Sequence, residues 1–212
     1  MNIFSKSSLT IISGFLIIVF VTYYLAINYG DINKYQSISS SENTNYDKSE
    51  RSSPELQIAY TYKKIYEIAV SFSYFLDRED IYDQILKKNI KGAHSDQIKN
   101  ILLIKARELG FKSEKQGLFR NYSINYRPDY FRPLGKGGII LEVERGRTVN
   151  NNNDLLDFWK CHICKEANHL ILIVPKHVSH TRNIYKKVKE RLAFFFEKKN
   201  YTNVESVHII GY

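Results

Sequence analysis

The stretch Ile139-Ile140-Leu141-Glu142-Val143-Glu144-Arg145-Gly146 decides how the carboxyl-terminal half of this chain is read. It is an apolar run of strand length that carries two carboxylates near its end. Side chains two apart on a strand share a face. Glu142 and Glu144 therefore point one way, and Leu141 and Val143 the other. Like charges on one face repel, so stability alone does not account for the pair. A hard divalent cation, which takes carboxylate oxygens as ligands, would make it favourable. A third acid stands just upstream, in Arg127-Pro128-Asp129.

Outward from this stretch, the pattern predicts three strands, at 111–115, 121–131 and 137–145. Gly135-Lys136-Gly137-Gly138 supplies turn chemistry between the last two. Upstream, helices are expected over 55–76, 80–91 and 95–109, the last ended by Gly110. Downstream come a helix over 154–168 and a continuous apolar strand over 169–175, the mark of a strand covered on both faces. A long basic amphipathic helix over 181–200 and a short strand over 205–212 follow. A meander followed by crossover units predicts an α/β fold: a mixed sheet with helices on both faces.

The amino-terminal part is of another kind. Residues 7–29 carry no charge, and as a helix they would extend about 30 Å or slightly more, enough to span a hydrocarbon core. The run is long for a signal peptide, and no small-x-small cleavage site follows it. Residues 1–30 are therefore expected to be an uncleaved transmembrane anchor. Positive charge does not settle its orientation, since Lys6 lies on one side and Lys34 and Lys48 on the other. Residues 31–53, rich in Ser and Asn and poor in large aliphatics, read as a disordered linker. The remaining chain divides into a helical extension, 54–94, and the domain that carries the acids, 95–212.

The net charge is +9. Residues 1–53 hold four basic and four acidic side chains, so the 27 Lys and Arg that remain face 18 Asp and Glu in 54–212. A basic domain suits a polyanion, nucleic acid or an anionic membrane surface. The last predicted helix carries Arg182, Lys186, Lys187, Lys189, Arg191, Lys198 and Lys199, which read as a solvated face or as phosphate contacts. Cys161 and Cys164 form no disulfide framework. Their spacing with His162 or His169 is only a weak sign of zinc, and one thiol in the core and one at the surface is the expectation.

With the strand order and these acids in hand, residues 95–212 resemble the PD-(D/E)XK nuclease superfamily, the restriction-endonuclease-like fold. The carrying residues are Pro128-Asp129 and Glu142-Val143-Glu144, with twelve residues between Asp129 and Glu142. Glu144 stands where the family usually has lysine, a Glu-x-Glu variant of the motif. The resemblance implies Asp129 and Glu142 as Mg²⁺ ligands, with Mn²⁺ as a substitute. It implies Glu144 as a further acid that orients water or holds a second metal. It also admits Lys160, on the following helix, as the displaced positive charge at the phosphate. The catalytic set is then Asp129, Glu142, Glu144 and Lys160. Asn150 to Asn153 read as a loop that touches substrate or caps that helix.

The expected function is a membrane-anchored, Mg²⁺-dependent endonuclease that hydrolyses DNA phosphodiester bonds, with restriction of foreign DNA as its role. Its catalytic domain would face the cytoplasm. DNA stands ahead of RNA as partner, the membrane is engaged through the amino-terminal helix, and a homodimer is among the expected assemblies. The alternative is a catalytically inactive nucleic-acid-binding protein of the same fold, also tethered to a membrane. A structural membrane protein whose acidic strand binds a metal or partner is the third reading.

Overall fold

The computed structural model describes residues 54–90, 96–113, 119, 127–146, 148–179, 182–197 and 199–212. The expected anchor and linker, residues 121–126 of the expected second strand, Arg147 and Lys198 lie outside them. Among the described residues, no helix is long and apolar enough to cross a membrane.

Three helices come first: α1 (Pro54–Leu76), α2 (Glu79–Lys88) and α3 (Asp96–Glu108). The strands β1 (Lys112–Ser113), β2 (Tyr130–Leu134) and β3 (Gly137–Val143) follow. Then come α4 (Asn153–Ile163), β4 (His169–Val174), β5 (His177–Ser179), β6 (Arg182–Asn183), α5 (Ile184–Ala193) and β7 (Ser206–Gly211). Five strands form one sheet in the order β1-β2-β3-β4-β7. The pairs β1–β2 and β2–β3 are antiparallel, while β3–β4 and β4–β7 are parallel. The sheet is mixed, as the meander-then-crossover pattern predicts.

Strand alternation divides the core into two layers. Ile139, Leu141, Val143, Ile171 and Ile173 face a cluster built with Ile65, Phe72, Ile98 and Leu102 of α1 and α3. Ile140, Leu170, Leu172 and Val174 face the other side, against Phe158 of α4 and Ile184, Val188 and Leu192 of α5. Every residue of β4 is buried, which is why it carries no polar alternation. Helix α1 thus shares a core with the sheet.

Boundaries depart from the sequence pattern where turn geometry and burial override it. The second strand begins at Tyr130, so Asp129 precedes the ladder rather than sitting inside it. β2 and β3 meet in a tight turn, Leu134 opposite Gly137, with Gly135 at φ +60, a conformation that L side chains rarely adopt. A Cβ on Gly138 would stand 2.8 Å from the Glu166 carbonyl, so bulk there is excluded by backbone. α4 stops at Ile163, with Cys164 extended, short of the expected end at 168. The basic helix over 181–200 is shorter too. Arg182 and Asn183 pair with β5, Asn183 then caps α5 by accepting the Lys186 amide at 2.8 Å, and Phe194–Phe196 tighten into a 3₁₀ turn. Both cysteines are buried, correcting the expectation of one at the surface.

Candidate functional site

Glu142 stands at the penultimate position of β3, on the face of Ile140 and therefore beneath α4. Its side chain is 2 % exposed. Asp129 lies alongside. Its backbone amide donates to Glu142 Oε2 at 3.1 Å, and its own Oδ2 accepts the Val143 amide at 3.0 Å. The two acids therefore meet at the end of the β2–β3 hairpin. α4 contributes Lys160, whose Nζ donates to Glu142 Oε1 at 2.9 Å and to Asp157 Oδ1 at 2.8 Å. The structure brings Asp129, Glu142 and Lys160 into one place.

Glu144 lies just past the strand, half-buried. Its amide extends the ladder to the Ile173 carbonyl at 2.8 Å, and its Oε2 accepts from Asn153 Nδ2 at 2.7 Å. Asn153, in the stretch expected to touch substrate or cap the helix, is the first residue of α4 and anchors this acid. Asn152 precedes the helix in the left-handed conformation and makes no side-chain cap.

Burial governs the electrostatics. Removal from water pushes Glu142 well above the ordinary carboxylate range; Asp157 and then Asp129 push it the same way, and Lys160 opposes them. Glu144 is pushed up to about 7, first by burial and then by Asp157. Asp157 is raised by burial, against the pull of Lys160. Burial works against the Lys160 ammonium, but Glu142 and Asp157 outweigh it and hold its pKa above the usual lysine value. Such opposed shifts are typical of working sites, though structural ion-pair networks share them.

Two residues of this constellation lie outside the set expected from sequence. Lys99 of α3 forms an ion pair with Asp129 Oδ1, and its carbonyl accepts from the Tyr130 hydroxyl at 2.8 Å. It stands next to Ile98 of the apolar stripe of α3, a position that carries no signal of its own. Asp157 is 2 % exposed. Its signal was there to be found: α4 buries Asp154, Asp157, Phe158 and Cys161, a helical stripe with two acids on it.

The basic face of α5 is also partly structural. Arg191 turns inward, donating to the Val149 carbonyl at 3.0 Å and to Asn152 Oδ1 at 2.6 Å. Its Nε lies 3.4 Å from Asp154 Oδ2. It secures the loop between β3 and α4 and is a poor candidate for a phosphate contact.

The donor set of Asp129, Glu142, Asp157 and Glu144 is all carboxylate oxygen, the chemistry that suits Mg²⁺. Lysines already engage Asp129, Glu142 and Asp157. Among the described residues, no three His, Cys, Asp or Glu side chains are disposed to hold a metal ion together. Cation binding by Asp129 and Glu142 would require both Lys99 and Lys160 to release them. Compared with known proteins, the chain matches no family model, no curated protein and no solved structure.

Proposed function

We propose that this chain is a membrane-anchored, Mg²⁺-dependent endonuclease acting on DNA, with restriction of foreign DNA as its role. The observation that carries the reading is the meeting of Asp129 and Glu142 at the end of a hairpin, beside the Lys160 ammonium. The PD-(D/E)XK resemblance supports it, since these are the residues the motif matches. When bound, a divalent cation supplies charge neutralisation at the scissile phosphate and a more acidic water.

The chain's own groups then divide the work. Asp129 and Glu142 would hold the cation. Glu144, with its raised pKa, holds or takes a proton near neutral pH. Lys160, freed from Glu142, offers its ammonium to charge developing on the phosphate. The basic excess of 54–212 favours the polyanion. The uncharged run at 7–29 supports the anchor; a DNA substrate in turn calls for the domain to face the cytoplasm, since charge does not set the orientation.

One assay tests this reading. Full-length chain is incubated with plasmid DNA and Mg²⁺ or Mn²⁺, with and without chelator. Metal-dependent cleavage is expected; binding with a steep salt dependence and no cleavage under any divalent metal would replace the reading with its alternative. That alternative, an inactive nucleic-acid-binding protein, draws on one observation: Lys99 and Lys160 already neutralise the acids.

A further inference from the structure

β3, β4 and β7 run parallel, so they share a starting end and a finishing end. Glu142, Glu144 and the loop into α4 stand at the finishing end. The starting end has a different character. The first turns of α1 pack there, with the Tyr62 ring 5.8 Å from that of His169, the first residue of β4. The Thr61 hydroxyl lies beside Gly135, in the turn that precedes β3. α4 finishes at the same end, and the loop before β7 is tied to it. The Asn203 amide donates to His162 Nδ1 at 3.1 Å, and the Asn203 side chain donates to the His162 carbonyl at 3.1 Å.

Several large side chains at this end meet water. Ile58 and Tyr60 project from the start of α1 and Ile163 from the last position of α4. Tyr201 projects from the loop, where its hydroxyl donates to Asn203 Oδ1 at 2.8 Å. Tyr60 is 62 % exposed and Tyr201 85 %. Lys63, Lys136 and Lys165 are exposed beside them, as are Glu166 and Glu205. Aliphatic, aromatic and lysine side chains together suit a bilayer interface, where rings sit at headgroup depth and lysine heads reach water. α2 also exposes Tyr82 and Leu86, but the residue that follows it, Asn89, accepts from Arg145 at 3.0 Å, at the finishing end.

What the starting end meets follows from the chain that leads into it. α1 begins at Pro54, and from Ile65 onward it lies over the core, so its first turns overhang the starting end. Before Pro54 come the uncharged run 7–29 and the linker 31–53. As a flexible chain a linker of that length has a root-mean-square reach of about 25 Å. A domain the size of 54–212 has a radius of gyration of about 15 Å and hence a breadth of roughly 40 Å. The tether is shorter than the domain it holds. The end at which the chain enters is therefore kept at the bilayer, at an effective concentration that lets weak apolar contacts count.

We infer that the starting end of the sheet docks on the bilayer in which 7–29 is anchored, through Ile58, Tyr60, Ile163 and Tyr201, and that the finishing end, with Glu142 and Glu144, is thereby turned to the aqueous side. The inference rests on the anchor reading and is independent of the nuclease chemistry. It gives the tethered domain one orientation, in which covering the apolar end leaves the acids open.

The test uses the full chain reconstituted in phosphatidylcholine vesicles with brominated acyl chains, which quench tryptophan on contact. Trp159 is the only tryptophan of the chain, so Trp159→Phe gives a dark background for a reporter at either end. Tyr201→Trp should be quenched several-fold more than Asn151→Trp, in the loop after β3. Ile58→Glu combined with Ile163→Glu should remove that quenching while the chain still floats with the vesicles. Equal quenching of the two reporters, or none of either in a chain that floats, overturns the docked orientation and leaves the anchor standing. A chain that does not float removes the anchor reading and the inference with it. Tyr201→Trp emission that ignores brominated lipid but is quenched by single-stranded DNA assigns the face to nucleic acid. Emission shielded from both lipid and aqueous iodide, increasingly so at higher protein density, assigns it to a second copy. Either result overturns the inference. If the reporter variants do not fold, hydroxyl-radical footprinting of the wild-type chain in vesicles decides. Tyr60 and Tyr201 protected with Tyr82 labelled is the expected result, and equal labelling of the three overturns the inference.

Discussion

Asp129 and Glu142 are clasped in both directions: the Asp129 amide donates to the Glu142 carboxylate, and the Asp129 carboxylate accepts the amide of the residue after Glu142. Each acid therefore fixes the other's orientation through the backbone. A substitution that preserves shape leaves this clasp largely intact and removes only charge.

Asp129→Asn and Glu142→Gln should each abolish plasmid cleavage while the melting temperature moves by no more than a few degrees. Glu142→Gln should tend upward, since burial and the neighbouring acids oppose a charge there. Full cleavage by both variants would sink the nuclease reading.

Lys160→Ala should lower the cleavage rate by about two orders of magnitude with little change in DNA affinity, as expected for a group that acts on developing charge. An equal loss in binding and rate would assign Lys160 to substrate capture instead.

Arg191→Ala should be strongly destabilising, on the order of 3–5 kcal/mol, because it leaves Asp154 buried and unpaired. Adding Asp154→Asn should recover part of that loss. Chemical denaturation of the single and double variants measures both, and strictly additive losses would show that the pair is not coupled.

His169 and His208 are near neighbours on the paired strands β4 and β7. Burial lowers both to about 4 from the ordinary 6.5. His169 is also bonded through Nδ1 to Ser206 Oγ at 2.9 Å, and it faces the Tyr62 ring and, at 3.8 Å, Glu205. The fold keeps these imidazoles neutral, whereas the unfolded chain protonates them below pH 6.5. Their contribution is complete above that pH and declines as pH falls towards 4. Glu144 slopes the other way: its native carboxyl keeps a proton up to about pH 7, so its contribution favours lower pH between 4.5 and 7. Comparison with His169→Gln isolates the histidine part. The variant should show a flatter fall in stability between pH 6.5 and 4, and an unchanged slope would show that His169 does not titrate on unfolding.

What the sequence made legible follows from periodicity. The buried run His169 to Val174 and the alternation through Glu142 read directly as strands, and so did the mixed sheet with helices on both faces. Asp129 and Glu142 were legible because acids in apolar sequence stand out. Lys99 was not, because its partner lies thirty positions away and only tertiary packing brings α3 to the hairpin. The end of the basic helix was hidden for a related reason. Phe195 stacks on Phe158 at 4.3 Å, and the chain tightens to make that contact, a packing demand that local propensity does not announce.

The hairpin clasp joins positions thirteen and fourteen residues apart, and Lys160 reaches Glu142 from eighteen. Most of the constellation is thus drawn from one continuous run, 129–160, while the two parallel pairings that complete the sheet span longer loops. Short loops close readily and early. The order of assembly should therefore place the hairpin and its two acids ahead of the arrival of β7, so that the chemistry is sketched before the sheet that shelters it is finished. Backbone amide exchange during refolding would show Asp129 and Val143 protected before Val207 and Ile209.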